Sequence, residues 1–220
     1  MFIVRVLKKG AEANIYSARF LDRKVIVKRR IKKAYRIKEI NYKIRSLRTA
    51  HEAQLLYEAK ASAGVPTPNI YLVDRDRAEI IMEYVEGTRL KEILDEMPSE
   101  SVGDICSRLG GLIADLHGVG IIHGDLTTSN VIVKQDGNLF LIDFGLGFHS
   151  NLVEDQGVDL HLLKQIFESF HLLQAIRAFQ AVLKGYGAVV GKEMLEEVMR
   201  KIREIEGRGR YVAAEARNST

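Results

Sequence analysis

A chain of 220 residues and 24.8 kDa, 46% hydrophobic and 28% charged, can bury a core as one large domain or as two small lobes sharing a cleft. That balance excludes a disordered tail, a collagen-like repeat and a disulfide scaffold, and the single Cys106 cannot pair within the chain, which suits a reducing compartment. The formal net charge of +4 conceals an asymmetry: residues 1–50 carry 16 Lys and Arg against Glu12, Asp22 and Glu39, while the other 170 residues are net acidic.

The N-terminal Met1-Phe2-Ile3-Val4-Arg5-Val6 lacks the flanks of a signal peptide, and no apolar run reaches the roughly 18 residues that span a bilayer. An intracellular, cytoplasmic chain is expected. Ile3, Val4, Val6 and Leu7, then Ile15, Tyr16, Ala18 and Phe20, then Val25-Ile26-Val27 predict three antiparallel strands, with breaks at Lys9-Gly10 and around Asp22-Arg23. Tyr35 to Ala63 has helical composition without proline, and Leu47, Ala50, Leu55 and Ala59 mark a rough apolar stripe. Gly64 and Pro66-Thr67-Pro68 end it. Ile70–Val73 and Ile80–Val85 then predict a hairpin around Asp74-Arg75-Asp76, completing five strands and one long helix within residues 1–86.

Gly87 opens a helical regime. Residues 89–96 and 99–119 read as helices, the second with Ser99 as N-cap and Ile105, Leu109, Leu112, Ile113 and Leu116 on one face. Two short strands, Val131–Lys134 and Leu139–Ile142, flank a turn, and residues 152–206 have helical period. The expected architecture is α+β in two lobes, 1–86 and 87–206, with a basic flexible tail over 207–220 opened by Arg208-Gly209-Arg210. Ten basic residues and one acid within Lys28–Arg48 favour a polyanionic partner over a merely solvated helix face.

Three separated segments carry chemistry. Ile122-His123-Gly124-Asp125-Leu126-Thr127-Thr128-Ser129-Asn130 lies between a long helix and a short strand, Asp143-Phe144-Gly145 follows the next hairpin, and Val25-Ile26-Val27-Lys28 ends the third strand. H-x-D-L-x-x-x-N, D-F-G and a V-x-V-K lysine, in this order, resemble the protein-kinase signature set. The resemblance implies a minimal bilobal protein-kinase-like fold with a reduced helical C-lobe and no long activation segment. Phosphoryl transfer spreads charge over the γ-phosphoryl oxygens, so the site needs metal ions, a cation and alignment. On that reading Asn130 and Asp143 offer oxygen ligands to Mg2+, Lys28 holds the ATP phosphates, and Asp125 accepts the proton of a hydroxyl or water. Glu52, preceding a Leu pair on the long helix, is the preferred partner for Lys28, with Glu58 as the alternative and a solvent-facing charge as the bland reading of either. Backbone groups of Glu83 and Val85 are expected at the adenine edge, with Met82 behind it or simply in the core.

The departures from that set are informative. The phosphate loop, Gly10-Ala11-Glu12-Ala13, has one glycine where G-x-G-x-x-G is usual; Gly124 stands where an arginine is usual, Thr127 where a lysine is usual, and no A-P-E follows Gly145. Together with Glu154-Asp155-Gln156-Gly157-Val158-Asp159-Leu160, these features resemble the small atypical kinase subunit of the KEOPS complex, in its compact archaeal form, over essentially the whole chain. The resemblance implies an ATP- and Mg2+-dependent Ser/Thr kinase and ATPase that autophosphorylates alone and supports threonylcarbamoyl transfer to adenosine 37 of tRNAs reading ANN codons. It also implies an ASKHA-fold threonylcarbamoyl transferase as partner, a small subunit docking on the N-lobe, and tRNA reached through the complex. Competing readings are a RIO-like kinase, whose loop usually reads H-x-D-L-S-E-x-N, a small-molecule kinase, which usually carries a larger C-lobe, and a non-catalytic scaffold.

Overall fold

A computed structural model describes residues 2–218 of the chain, and the side chains of residues 5–208. The side chains of Ile3 and Val4, read above as part of the first apolar alternation, lie outside the described ones. Three strands, β1 (Phe2–Lys9), β2 (Ala13–Phe20) and β3 (Arg23–Arg30), run antiparallel through the first thirty residues. The second reversal comes one residue earlier than expected, at Leu21 and Asp22, because Phe20 already pairs with Arg23. Both turn residues have positive φ, 46° and 61°, which suits the right-handed twist of the flanking strands.

Helix α1 (Lys38–Ala61) follows, and its buried face overlaps the expected stripe in part. Of that stripe Leu55 and Ala59 are buried, Ala50 is half-buried and Leu47 is half exposed, while Thr49, Glu52, Ala53 and Leu56 are also buried. These residues sit three or four apart on one face, and that face is chosen by a carboxylate, Glu52, that two cations of β3 require. Strands β4 (Ile70–Asp74) and β5 (Glu79–Glu83) complete one sheet of order β1-β2-β3-β5-β4. Asp74 organises the hairpin between them by accepting from the N–H groups of Asp76 and Arg77. Pairing of β3 with β5 sets Ile26 opposite Met82 and Lys28 opposite Ile80.

Beyond Glu83 come β6 (Thr88–Arg89), α2 (Leu90–Ile93) with a 3-10 turn after it, and α3 (Ser99–Gly118). Pro98 is the N-cap of α3 and Ser99 its first helical residue, because extended φ and ψ at Pro98 suit the cap and no side-chain cap bond forms. Ile105, Leu109, Ile113 and Leu116 are buried as expected, while Leu112 sits at the edge of that face. Strands β7 (Ile121–Ile122), β8 (Val131–Val133), β9 (Leu139–Leu141) and β10 (Phe148–His149) frame two loops. β6, β7 and β10 were illegible in the sequence because two residues cannot show an alternation.

Helices α4 (Val153–Phe170), α5 (Ala175–Val190) and α6 (Lys192–Asn218) close the fold. α3 and α5 cross where glycines admit backbone contact. A Cβ on Gly110 would lie 2.0 Å from the Val182 oxygen, and one on Gly185 1.7 Å from the Ser107 oxygen. Any side chain there drives the helices apart. The expected flexible tail from residue 207 is instead continuous with α6 as far as Asn218. No proline interrupts this stretch, and Arg208 pins the helix to α4 through a 2.6 Å ion pair with Glu154. Residues 219–220 lie outside the described residues. One core cluster joins Leu55 and Leu56 of α1 to Phe144 and to the faces of α3, α4 and α5. Among the described residues, no helix is long and apolar enough to cross a membrane.

Candidate active site

Between the five-stranded sheet and the helical part lies a cavity of about 600 Å3. Its apolar walls are Leu7, Ile15 and Ile26 from the sheet, Met82 near the end of β5, Ile132 of β8 and Ile142 directly after β9. Of these only Met82 was singled out by sequence reasoning. Inward-facing positions of alternating strands were the available signal for the others.

Lys28 projects from β3 into this cavity and is 7% exposed. Its Nζ donates to Glu52 Oε1 at 2.6 Å and to Asp143 Oδ1 at 2.5 Å. Burial alone would push the ammonium pKa down, but the two carboxylates outweigh that and hold it above its ordinary value. Burial would likewise push the Asp143 carboxyl up, and the Lys28 charge with the Gly145 N–H holds it below the usual range. Glu52 is 1% exposed and divides its oxygens, Oε1 to Lys28 and Oε2 to Arg30 Nη2 at 2.6 Å. Glu58 is not brought to Lys28. It accepts from Gln54 and pairs with His149 at 2.7 Å on the outer surface.

Asp143 has φ of 66°, a left-handed conformation uncommon for a residue with a side chain and held here by its contacts. The following Phe144 is fully buried and packs against the His123 ring, 4.4 Å between centroids and tilted by 41°, so the Asp143 backbone is fixed by the core beneath it. Beside Asp143, directly before the paired strand β8, Asn130 Nδ2 donates to both the Asp125 carbonyl and Asp125 Oδ2 at 2.9 Å. That arrangement orients the Asp125 carboxylate and leaves the Asn130 amide oxygen as the atom for a cation. Gly10, Glu12, Ala13, Glu83 and Val85 also line the cavity. Ala11 does not, and its carbonyl instead accepts from Lys33 Nζ at 2.5 Å.

Four residues that sequence reasoning did not assign hold the site together. Asp159 of α4, 2% exposed, accepts from the His123 N–H at 2.8 Å and the Gly124 N–H at 2.9 Å. It thereby suspends the loop that bears Asp125. Gly124 has φ of 74°, and a Cβ there would meet the Leu146 carbonyl at 2.2 Å. That close approach explains why no arginine occupies this position. Arg30 and Arg48 lie beside the phosphate loop, and Arg48 donates to the Gly145 carbonyl at 3.2 Å. Arg30 and Arg48 were legible only as part of a basic run.

The donor set suits Mg2+ with a nucleotide: a carboxylate held ionised, Asp143, and the side-chain amide oxygen of Asn130, whose backbone carbonyl accepts from the Ile142 N–H at 2.9 Å and so stands beside Asp143, with the Lys28 ammonium bonded to that carboxylate.

Residues 3–159 match the protein kinase domain family. Over 94% of its length the chain is 49% identical to the KEOPS complex subunit Bud32 of Pyrococcus abyssi, and it covers 96% of that relative. It is also 47% identical to a probable bifunctional tRNA threonylcarbamoyladenosine biosynthesis protein of Methanothermobacter thermautotrophicus, and 44% to one of Methanobrevibacter smithii. The chain spans 36% of the length of each of these two bifunctional relatives.

Proposed function

Because the chain belongs to the protein kinase domain family and, within it, to the family of the KEOPS subunit Bud32, we propose that it is an atypical Ser/Thr kinase and ATPase serving tRNA threonylcarbamoyladenosine biosynthesis. The observation that carries the reading is the Lys28 ammonium held between Glu52 and Asp143 in the cavity that the bonded Asp125–Asn130 pair also lines. In this reading residues 1–86 form the nucleotide-covering lobe and residues 87–206 the catalytic one.

Lys28, kept charged by its two carboxylates, holds the α and β phosphates. Backbone groups of Glu83 and Val85 take the adenine edge, and Met82 with the isoleucines of the walls excludes water from its faces. Asp125, oriented by Asn130, accepts the proton of the attacking hydroxyl or water. Asn130 and Asp143 hold Mg2+, which supplies charge neutralisation at the phosphate oxygens. With Gly124 in place of an arginine, no basic residue beside Asp125 reads an activation-segment phosphate, so control falls to partners.

We assign the chain a place in a KEOPS assembly, with the threonylcarbamoyl transferase and a small subunit on the N-lobe as neighbours, in the cytoplasm. The decisive measurement is transfer and release of radiolabelled γ-phosphate by the purified chain, alone and with the transferase, with and without tRNA. Autophosphorylation alone, suppressed by the transferase while ATP hydrolysis persists, is the expected result. No labelled protein and no released phosphate under any of these conditions would remove the enzymatic reading.

The basic segment after β3 is proposed to meet tRNA phosphates. Lys33 is half-buried and spends one of its three N–H groups on the Ala11 carbonyl, while Lys32, Lys38 and Lys43 are exposed cations. Reversing these three to Glu is expected to weaken tRNA binding by the assembled complex for all sequences alike. The log–log salt slope should become shallower by about 0.7–0.9 for each phosphate no longer neutralised. Unchanged affinity and slope would leave only a protein-docking role for this surface.

A further inference from the structure

The phosphate loop carries its own anion. Glu12 forms an ion pair with Arg48 Nη1 and lies 3.7 Å from Arg30 Nη1, through the same oxygen, Oε2. The two arginines come from different elements but reach one place. Arg30 stands two residues beyond Lys28 on β3 and so shares its face of the sheet. Arg48 stands one turn before Glu52 on α1. All of them line the same cavity as Asp143.

Arg30 is 5% exposed, and its guanidinium is incompletely used. Nη2 donates to Glu52 at 2.6 Å, whereas Nε is buried without a hydrogen-bond partner. A buried guanidinium N–H normally finds an acceptor, because leaving it unpaired costs desolvation. Three cations and three carboxylates line this end of the cleft: Lys28, Arg30 and Arg48 against Glu12, Glu52 and Asp143. Glu52 is buried between Lys28 and Arg30, and Asp143 is fixed by Lys28 and the chain beneath it. Glu12 is half exposed, on a loop between two strands, and among the described residues its ion pairs are with the two arginines. It is the anion that can leave.

We propose that Arg30 and Arg48 form an anion subsite of the cleft, held in this structure by the Glu12 carboxylate, that takes the terminal phosphate of a nucleoside triphosphate once Glu12 swings out. The inference rests on the nucleotide reading of the cleft given above. A phosphate offers three acceptor oxygens to two guanidinium forks, where the carboxylate brings a single oxygen to both. Glu12 and a terminal phosphate cannot share the site, since like charges at such distances repel. The loop therefore sets the preference for a triphosphate over a diphosphate, and anything that moves Glu12 regulates it.

Calorimetric titration of the full chain with Mg-ADP and with Mg-AMPPNP tests this. Glu12→Gln keeps the shape and removes the charge, and is expected to tighten AMPPNP about tenfold relative to ADP. Arg48→Gln spares the Arg30–Glu52 pair and is expected to weaken AMPPNP about tenfold more than it weakens ADP. An AMPPNP-to-ADP ratio unchanged in both variants, with ADP still bound, overturns the subsite and leaves the nucleotide reading intact. So does an equal loss of both nucleotides in Glu12→Gln, which would make Glu12 a clasp that shapes the loop. Failure of the unaltered chain to bind either nucleotide would overturn the nucleotide reading itself, and the subsite with it.

Discussion

Asp125→Ala is expected to lower ATP turnover by a factor of about 10²–10⁴ with nucleotide affinity almost unchanged. The carboxylate is oriented by Asn130, whereas Lys28 is paired with Glu52 and Asp143. Asp143→Ala should behave differently. It removes a ligand for Mg2+ and one of the two carboxylates that keep Lys28 charged, so Mg2+-dependent nucleotide binding should fall together with turnover. Binding by calorimetry and single-turnover rates on the same preparations separate the two. If Asp125→Ala hydrolysed ATP at the unaltered rate, the proton-accepting role would have to move elsewhere in the cleft.

Asp159→Ala should produce the largest loss of stability among single changes near the site. It orphans the buried N–H of His123, at a cost of about 1–3 kcal/mol, and the part-buried N–H of Gly124, and leaves a void beside His117. A total of about 3–5 kcal/mol corresponds to a melting temperature lower by about 6–20 °C for a chain of this size. Asp159→Asn, which retains one acceptor oxygen, should fall between. The pH dependence carries a sign. Burial would raise the Asp159 pKa, but the bonds and charges of His117 and His123 outweigh it and the native value is depressed. A depressed native pKa gives stability that is present above the unfolded value, about 3.9, and lost as the pH falls below it toward the native one. Acid titration of unfolding should therefore show a loss in the unaltered chain that Asp159→Ala lacks. A variant melting within about a degree of the unaltered chain would show that the loop is held by other contacts.

Sequence alone determined what depends on neighbours a few residues apart. The H-x-D-L-x-x-x-N spacing carries both Asp125 and Asn130, whose side chains bond directly, and the apolar alternation carried five strands to within one or two residues of their ends. It also placed Gly124 where an arginine is usual, without the reason. What only the tertiary structure decided are meetings between distant residues. Lys28 and Asp143 are 115 positions apart, and the choice of Glu52 over Glu58 follows from which face of α1 the sheet covers. The same holds for Arg30 and Arg48 closing on Glu12, and for Asp159 reaching back 36 residues to His123. Helical period leaves every face of α1 open, and only the pairing of β3 with β5, which turns Lys28 and Arg30 inward, selects one. Local spacing fixes chemistry within a loop, whereas charge pairing across the cleft is set by sheet register and helix rotation, neither of which is written in any short stretch of sequence.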